Sequence, residues 1–588
     1  MEKNTLIAII LSTVVLIGFT VLQTVIFPPQ PVEEAVAGEE TVLTAEIAES
    51  EWTSSGSLAM AHPDSQEPIQ EQEIVITTNR ARITLSNRGG DIIGYELLEH
   101  RDGESGVQMA DNISASNRAF SVSFGGAENG IIQDLFHVRK IDDYTVGFYK
   151  TYSALNGVGQ YVFAKQYSFK PDDYLFRLDV SVDGSEGMGG LAFGDAAYTI
   201  RTSPQIGPYF NAKTNKYENR TFMSFYDGKK KKQILKDGET KVYDGTYSWT
   251  GVGGKYFEIL GIPVRPDTML DVLYSAKIEV DNYANAQVMM TRKSIVEPAA
   301  QDSYYFYVGP RTEKDLKIYN NAEDNVWGLS NLRLNESLES TGILSWLESI
   351  LKWCMELLYR LVPNWGVSII ILTVIIKIIF FPLTKKSSMG TLKMQEIQPK
   401  IREIQEKYRD QPEKLNMEMS KVYKESGYNP LSGCLPLLIQ FPLIFAMYNL
   451  FNNYFEFRGA MFIPGWIPDL SVGDIVPLPV SLPLLGSQIH LLPVIYLVSQ
   501  LLFGKITQAG AVGGNTTQMK IMMYGMPIFF FFIFYNAPAG LLLYWTVSNI
   551  LQLFQQMIIN RMMKAKRAEM ELSKEAEKKV FVPRKKKK

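Results

Sequence analysis

Ser368 to Thr384 reads SIIILTVIIKIIFFPLT, an apolar run of helix length interrupted by a single cation, Lys377. An ammonium inside hydrocarbon costs about 2.5 to 3.5 kcal/mol on insertion scales, so intramembrane lysines face a partner or a water-filled cavity. Close to a helix end the same side chain reaches the headgroups with its long stem. The run therefore marks a membrane span, and it places a charge within that span.

Working outward, the 588 residues and 46% hydrophobic content conceal two unlike halves. From about 33 to 335 the chain is polar and strand-like, and from Trp365 onward long apolar runs dominate. A net charge of -3 implies no bulk polybasic or polyacidic partner. Both cysteines, Cys354 and Cys434, fall in the apolar half, so the polar half has no disulfide framework. His62, His100, His137 and His490 are scattered without metal-ligand spacing, which argues against a structural zinc.

Toward the N-terminus, Leu6 to Phe27 follows Lys3 as an apolar span longer than the roughly 7 to 15 residues of a cleaved signal core. Ala35-Val36-Ala37 offers a cleavage pattern, but behind Pro28, Pro29 and Pro31 it lies far from the run, and residues 1–27 read as an uncleaved anchor. Residues 28–72, rich in Glu, Ala, Ser, Pro and Gly, read as a flexible linker. In 73–335, Tyr174, Phe176, Leu178, Val180 and Val182 alternate with Leu175, Arg177, Asp179 and Ser181, the period of a half-buried strand. Tyr161, Phe163, Tyr167 and Phe169 repeat the pattern, and Ile74 to Leu85 leads into the turn Asn87-Arg88-Gly89-Gly90. Many short strands with Gly and Asp turns predict a large all-β sandwich. Lys229 to Lys232 reads as a solvated loop, since a lysine run without interleaved aromatics is a weak nucleic-acid signal.

Toward the C-terminus, Leu344, Leu347, Leu351, Cys354, Leu358 and Leu361 recur at helical spacing, predicting an amphipathic helix over 338–362 that lies in the membrane interface or packs on a core. Spans are expected at 363–384, 430–451, 489–505, 520–536 and 538–560, which with the anchor makes six in an all-α polytopic bundle. Ten Lys and Arg residues between Lys385 and Lys424, and the tail over 561–588 ending Arg584, Lys585, Lys586, Lys587 and Lys588, place both termini in the cytoplasm; the 452–488 loop, with only Arg458, joins the sandwich outside. The short 506–519 connection is cytoplasmic. Within 385–429, Ile397, Ile401, Ile404 and Tyr408, then Leu415, Met419 and Val422, predict two short antiparallel helices, Pro399 weakening the first.

Thr373 and Lys377 share a helix face, and Trp545, Asn549, Gln552 and Gln556 form a polar seam at spacings of four, three and four. Gln440 and Gln500 add one amide to each of two more spans. Such amides either glue helices together or line a wet cavity, and a cation among several seams favours the cavity.

Phe381-Pro382-Leu383-Thr384-Lys385, Gln398-Pro399-Lys400-Ile401, Asn429 through Gln440, and Pro538 through Trp545 with Ser548-Asn549 closely resemble the YidC/Oxa/Alb family of membrane protein insertases over about 366–561. The anchor, the sandwich and short pieces such as Lys255-Tyr256-Phe257 resemble its Gram-negative form, with the sandwich periplasmic. The resemblance implies five core spans around a hydrophilic groove open to cytoplasm and lipid, used without nucleotide or small-molecule cofactor. Its single groove cation is an arginine; the matching Lys377 keeps the charge but not the planar fork. It also implies a groove of Lys377, Thr373, Gln440, Gln500, Trp545, Asn549 and Gln552, and capture of nascent membrane proteins by a hairpin bearing Lys385, Lys386, Gln398, Lys400, Arg402 and Tyr408. Sec translocon cooperation and a chaperone role follow from it too, and the basic tail is expected to meet the ribosome or membrane lipids. Two rivals remain, a solute transporter and a membrane-anchored carbohydrate-active envelope enzyme. The first predicts inverted repeats that the chain lacks, and the second an acid pair that the sandwich lacks.

Overall fold

The computed structural model describes residues 69–153, 159–184, 190–208, 218, 220–276, 286–338, 344–427, 431–482, 486–508 and 524–580. The expected anchor, all but the end of the linker, the 509–523 segment and Arg584 to Lys588 lie outside these residues, as do the side chains of Lys386, Gln398 and Gln440.

Alternating apolar residues in the first half build antiparallel sheets. A nine-stranded sheet runs from the edge strand Lys229–Gln233 through Thr221–Tyr226, Trp249–Gly253, Phe257–Pro263, Ala299–Pro310, Leu175–Gly184, Gln160–Ser168 and Thr145–Ser153 to His137–Lys140. A five-stranded sheet orders Thr240–Asp244, Met269–Ser275, Gln287–Lys293, Ala196–Arg201 and Ser121–Phe124, and a four-stranded one orders Glu73–Thr77, Ala81–Ser86, Asp91–Asp102 and Ser105–Gln108. One hydrophobic core joins them, with Ile83, Phe163, Phe176, Ile200 and Phe306 fully enclosed. The strand expected at 175–184 is present: Phe176, Leu178, Val180 and Val182 are buried, and on the other face Arg177, Ser181 and Asp183 are half-buried while Asp179 is sheltered by Arg177 and Ser303. The Asn87 to Gly90 turn needs its glycines: Gly90 has φ +62°, and a Cβ there would meet Phe148 at 2.8 Å.

The lysine run is a strand rather than a loop. Asp227 and Gly228 both have positive φ, 49° and 67°, so they make a two-residue hairpin turn that pairs Tyr226 with Lys229 and Phe222 with Gln233. As the outermost strand, its lysines discourage edge-to-edge pairing with another chain.

The second half is helical: α1 Ser345–Leu361, α2 Trp365–Lys407, α3 Pro412–Glu425, α4 Leu431–Asn453, α5 Leu491–Gln508, α6 Met526–Ile533 and α7 Ala539–Val580. Asn364 caps α2 by accepting from the Val367 amide at 3.1 Å. The helix then continues through Pro382 and Pro399 for 43 residues, so the first hairpin arm expected from 385 is continuous with the span, whose apolar stretch ends at Lys385, one residue from the expected 384. Each proline removes a single amide donor, and the Leu, Lys, Met, Gln and Glu around them favour helix. α3 packs back on its distal part, where Ile397 and Ile401 are buried. α7 likewise passes the expected boundary at 560, since 561–580 contains neither Gly nor Pro. Among the described residues, Trp365–Lys385, 21 residues with mean hydropathy 2.5, is the helix long and apolar enough to cross a membrane, and Leu491–Ile506 is a shorter apolar helix.

A second core gathers Leu351 and Met355 of α1, Ile369, Leu372 and Ile376 of α2, Met447 and Phe451 of α4, and Leu541 and Leu542 of α7. The seam expected to lie in the interface, Leu347, Leu351, Cys354 and Leu358, faces this core. The opposite stripe is apolar too: Trp346, Ile350, Trp353 and Leu357 are exposed. The presence of aromatics on both faces hid this second stripe from a single-seam reading.

The two halves meet where the chain leaves α4. Phe455 lies edge-on to His100, Tyr256 and Phe257 at 5.3, 6.0 and 5.7 Å, and the Arg458 guanidinium sits 5.0 Å above Phe257. His100 also contacts the Tyr174 hydroxyl through Nε2 at 3.1 Å. Burial, aided by Arg458 and Arg80 and opposed by Glu99 and Asp315, pushes the imidazole below its ordinary value. The docked state thus favours neutral His100, so docking is fully stabilised above the ordinary range near 6.5 and weakens as pH falls through it. The protection factors of the amides over Phe455 to Arg458, corrected for the intrinsic pH dependence of exchange, should fall between pH 7.5 and 5.5, and His100→Gln should remove that fall. An unchanged pH response in the variant would assign it to another group.

Candidate functional site

On α2, Thr373, Ile376, Lys377, Phe380, Leu383 and Thr384 recur at three and four residues and share one face. With Leu443 of α4 and Tyr544 and Ser548 of α7 they line a pocket of about 460 Å³, counting the space at its open mouth. Lys377 Nζ donates to Gln552 Oε1 at 3.2 Å, and Gln555 Nε2 donates to the Lys377 carbonyl at 3.0 Å. The Thr373 hydroxyl donates to the Ile369 carbonyl at 2.6 Å, so its proton is used within α2.

The polar seam of α7 divides between two neighbours. Ser548, Gln552 and Gln555 face α2 and Lys377. Asn549 instead donates to Ser499 Oγ of α5 at 2.7 Å, where it is buried, and Gln500 donates to the Tyr496 hydroxyl one turn back at 2.8 Å. Trp545 packs edge-on against Phe534 at 4.7 Å and lies 6.1 Å from Tyr496. Gln556 donates to Asn560 at 2.9 Å. Thr373, Lys377 and Gln552 are thus brought together, while Trp545, Asn549 and Gln500 sit at the α5–α7 joint. Ser548 and Gln555 escaped the sequence reading, although 548, 552 and 555 form a second line at spacings of four and three. On the distal part of α2, Lys400 and Arg402 are exposed and Lys385 and Tyr408 half-buried, with the Lys407 ammonium 5.5 Å above the Tyr408 ring.

No Asp or Glu occurs from Trp365 to Gln395, in α4, α5 or α6, or from Ala539 to Asn560. The pocket can therefore present one cation, several hydroxyls and amides, and no internal counter-charge. It offers neither a paired carboxylate nor an activated nucleophile for bond chemistry.

Residues 357–567 match the family model described as 60Kd inner membrane protein, and residues 73–354 that of the YidC periplasmic domain. The membrane protein insertase YidC of Treponema denticola is 48% identical over 583 residues, spanning 96% of this chain and 100% of that protein. The chain belongs to the YidC family of membrane protein insertases. The YidC of Treponema pallidum is 40% identical over 617 residues, spanning 95% of this chain and 99% of that protein. A crystal structure of an active YidC insertase with its first transmembrane domain resolved shares 19% identity and a TM-score of 0.33 over 83% of this chain and 93% of that one. As in other YidC proteins, the β-rich half is a periplasmic domain and the chain an inner-membrane protein. The relatives are named as insertases rather than as enzymes.

Proposed function

We propose that the chain inserts nascent membrane segments by resting their polar, often acidic, flank in the pocket at Lys377 while the apolar helix moves into lipid along α2 and α7. The observation that carries this reading is a cation within a span whose side-chain partner is an uncharged amide. Lys377 lies eight residues before Lys385, about 12 Å along the helix, within the cytoplasmic half of the bilayer. A cation and polar groups held there shorten the hydrocarbon path for a substrate's polar residues. Apolar partitioning, near 25 cal/mol per Å² buried, then supplies the driving force, and the sequence has no GxxxxGK[ST] loop for nucleotide.

Six spans with both termini cytoplasmic fit the basic loops, and Trp346 and Trp353 on the outer stripe of α1 suit an interfacial position. The α2–α3 hairpin captures substrate, the basic tail meets ribosomal phosphates or anionic lipid, and the chain works alone or with the Sec translocon, also aiding folding. A photoreactive residue at Thr384, on the pocket, should crosslink a stalled nascent membrane protein, whereas one at Ser499, on the α5–α7 joint, should not. Equal crosslinking at both sites would remove the pocket from the substrate path.

A further inference from the structure

We infer that Gln552 and Gln555 are positioning residues for Lys377, and that the neutrality of Gln552 decides which substrate flanks the pocket accepts. This rests on the reading of Lys377 as the flank-binding cation. The two amides lie three residues apart on one face of α7 and grip α2 at the same residue. Gln552 accepts from the ammonium, and Gln555 donates to the main-chain carbonyl beneath it. The grip falls where α2 is weakened: Pro382 withdraws the amide that would bond the Ile378 carbonyl, next to the carbonyl that Gln555 holds. Without the brace from α7, the backbone carrying the cation is free to bend at the proline.

The chemistry of the acceptor matters as much as its place. A carboxylate at 552 would hold the ammonium at least as well, but it would form an ion pair with it and cancel the charge a substrate flank must meet. An amide oxygen fixes the ammonium's direction and leaves its net charge intact. Because the described helices around Lys377 carry no acid beside it, they supply it no counter-ion, which leaves its charge for a substrate's acidic flank. Gln552 thus acts through Lys377, as a group that aims the cation without neutralising it.

The test uses the full-length protein in an insertase-depletion strain at matched expression, with two reporter substrates whose short flanks differ only in carrying Asp or Asn. Gln552→Glu should lower insertion of the Asp reporter about tenfold, by supplying a competing carboxylate, and leave the Asn reporter within about twofold of wild type. Gln552→Met, which removes the acceptor but adds no charge, should give a smaller loss on the Asp reporter. Gln555→Leu should likewise affect the Asp reporter more than the Asn reporter. Lys377→Ala separates the two ideas. If it inserts the Asp reporter normally, the flank-binding reading itself falls. If Lys377→Ala is defective on the Asp reporter but Gln552→Glu inserts both reporters normally, or depresses both equally, the reading stands and the assignment of Gln552 is overturned.

Discussion

A depletion strain relying on the Lys377→Glu variant is expected to stop growing, while Lys377→Arg supports growth and Lys377→Ala falls between them. Opposite unit charges 4 Å apart attract by about 4 kcal/mol at the effective dielectric of a protein boundary, so reversing the charge turns a comparable attraction for an acidic flank into repulsion. Truncation to alanine removes the attraction and the donor to the half-buried Gln552 Oε1, but adds no repulsion. Arginine keeps the charge and adds a planar fork. Colony formation and insertion of an acidic-flanked reporter measure the series, and equal growth of the three variants would remove any requirement for charge at this position.

The largest loss of stability should come from Asp91→Asn in the periplasmic domain. Asp91 accepts from Arg118 Nε at 2.9 Å and Lys165 Nζ at 2.6 Å, and all three side chains are at most 4% exposed. Lys165 also reaches the Phe120 and Gly89 carbonyls at 2.9 and 3.3 Å. Neutralising the one carboxylate leaves two enclosed cations without a counter-charge, a change that costs about 3 to 5 kcal/mol. Against a typical domain stability of about 5 to 15 kcal/mol, that is about a fifth or more of the total. The urea midpoint, followed through the buried Trp249 indole, should drop accordingly. Asp143→Asn should shift it by less than about 0.5 kcal/mol, because the Lys140–Asp143 pair is 60% and 86% exposed.

These two sites differ in how far the sequence foretold them. Lys377 stood out as an isolated charge in an apolar run, a purely local anomaly. Lys165 shares the inward face with Tyr161, Phe163 and Tyr167, yet its partner lies 74 residues away, and no local pattern distinguishes a buried lysine from an edge one. The α7 seam was legible as a line of polar residues, but not its division, because helical spacing fixes a face and not which neighbour meets it. Gln555 bonds a backbone atom 178 residues distant, which leaves no compositional trace. Pro399, expected to weaken the first arm of the hairpin, lies inside one continuous helix, because the helix formers around it outweigh the single lost donor. At Lys229, four charges drew the eye from the Asp227-Gly228 turn that specifies a hairpin.

The unbroken α2 makes the distance between capture and insertion a mechanical quantity. Its 43 residues form a rod about 65 Å long, with Lys377 in the apolar stretch and the exposed Arg402 on the distal part. A tilt of about 10° about Pro382 sweeps the distal tip through about 6 Å. A load on the α2–α3 hairpin therefore works against the grip of Gln552 and Gln555 at Lys377, just before the bend at Pro382. Under the proposed mechanism, a nascent chain held on that hairpin and the posture of the pocket are geared to one another, with α7 as the bearing.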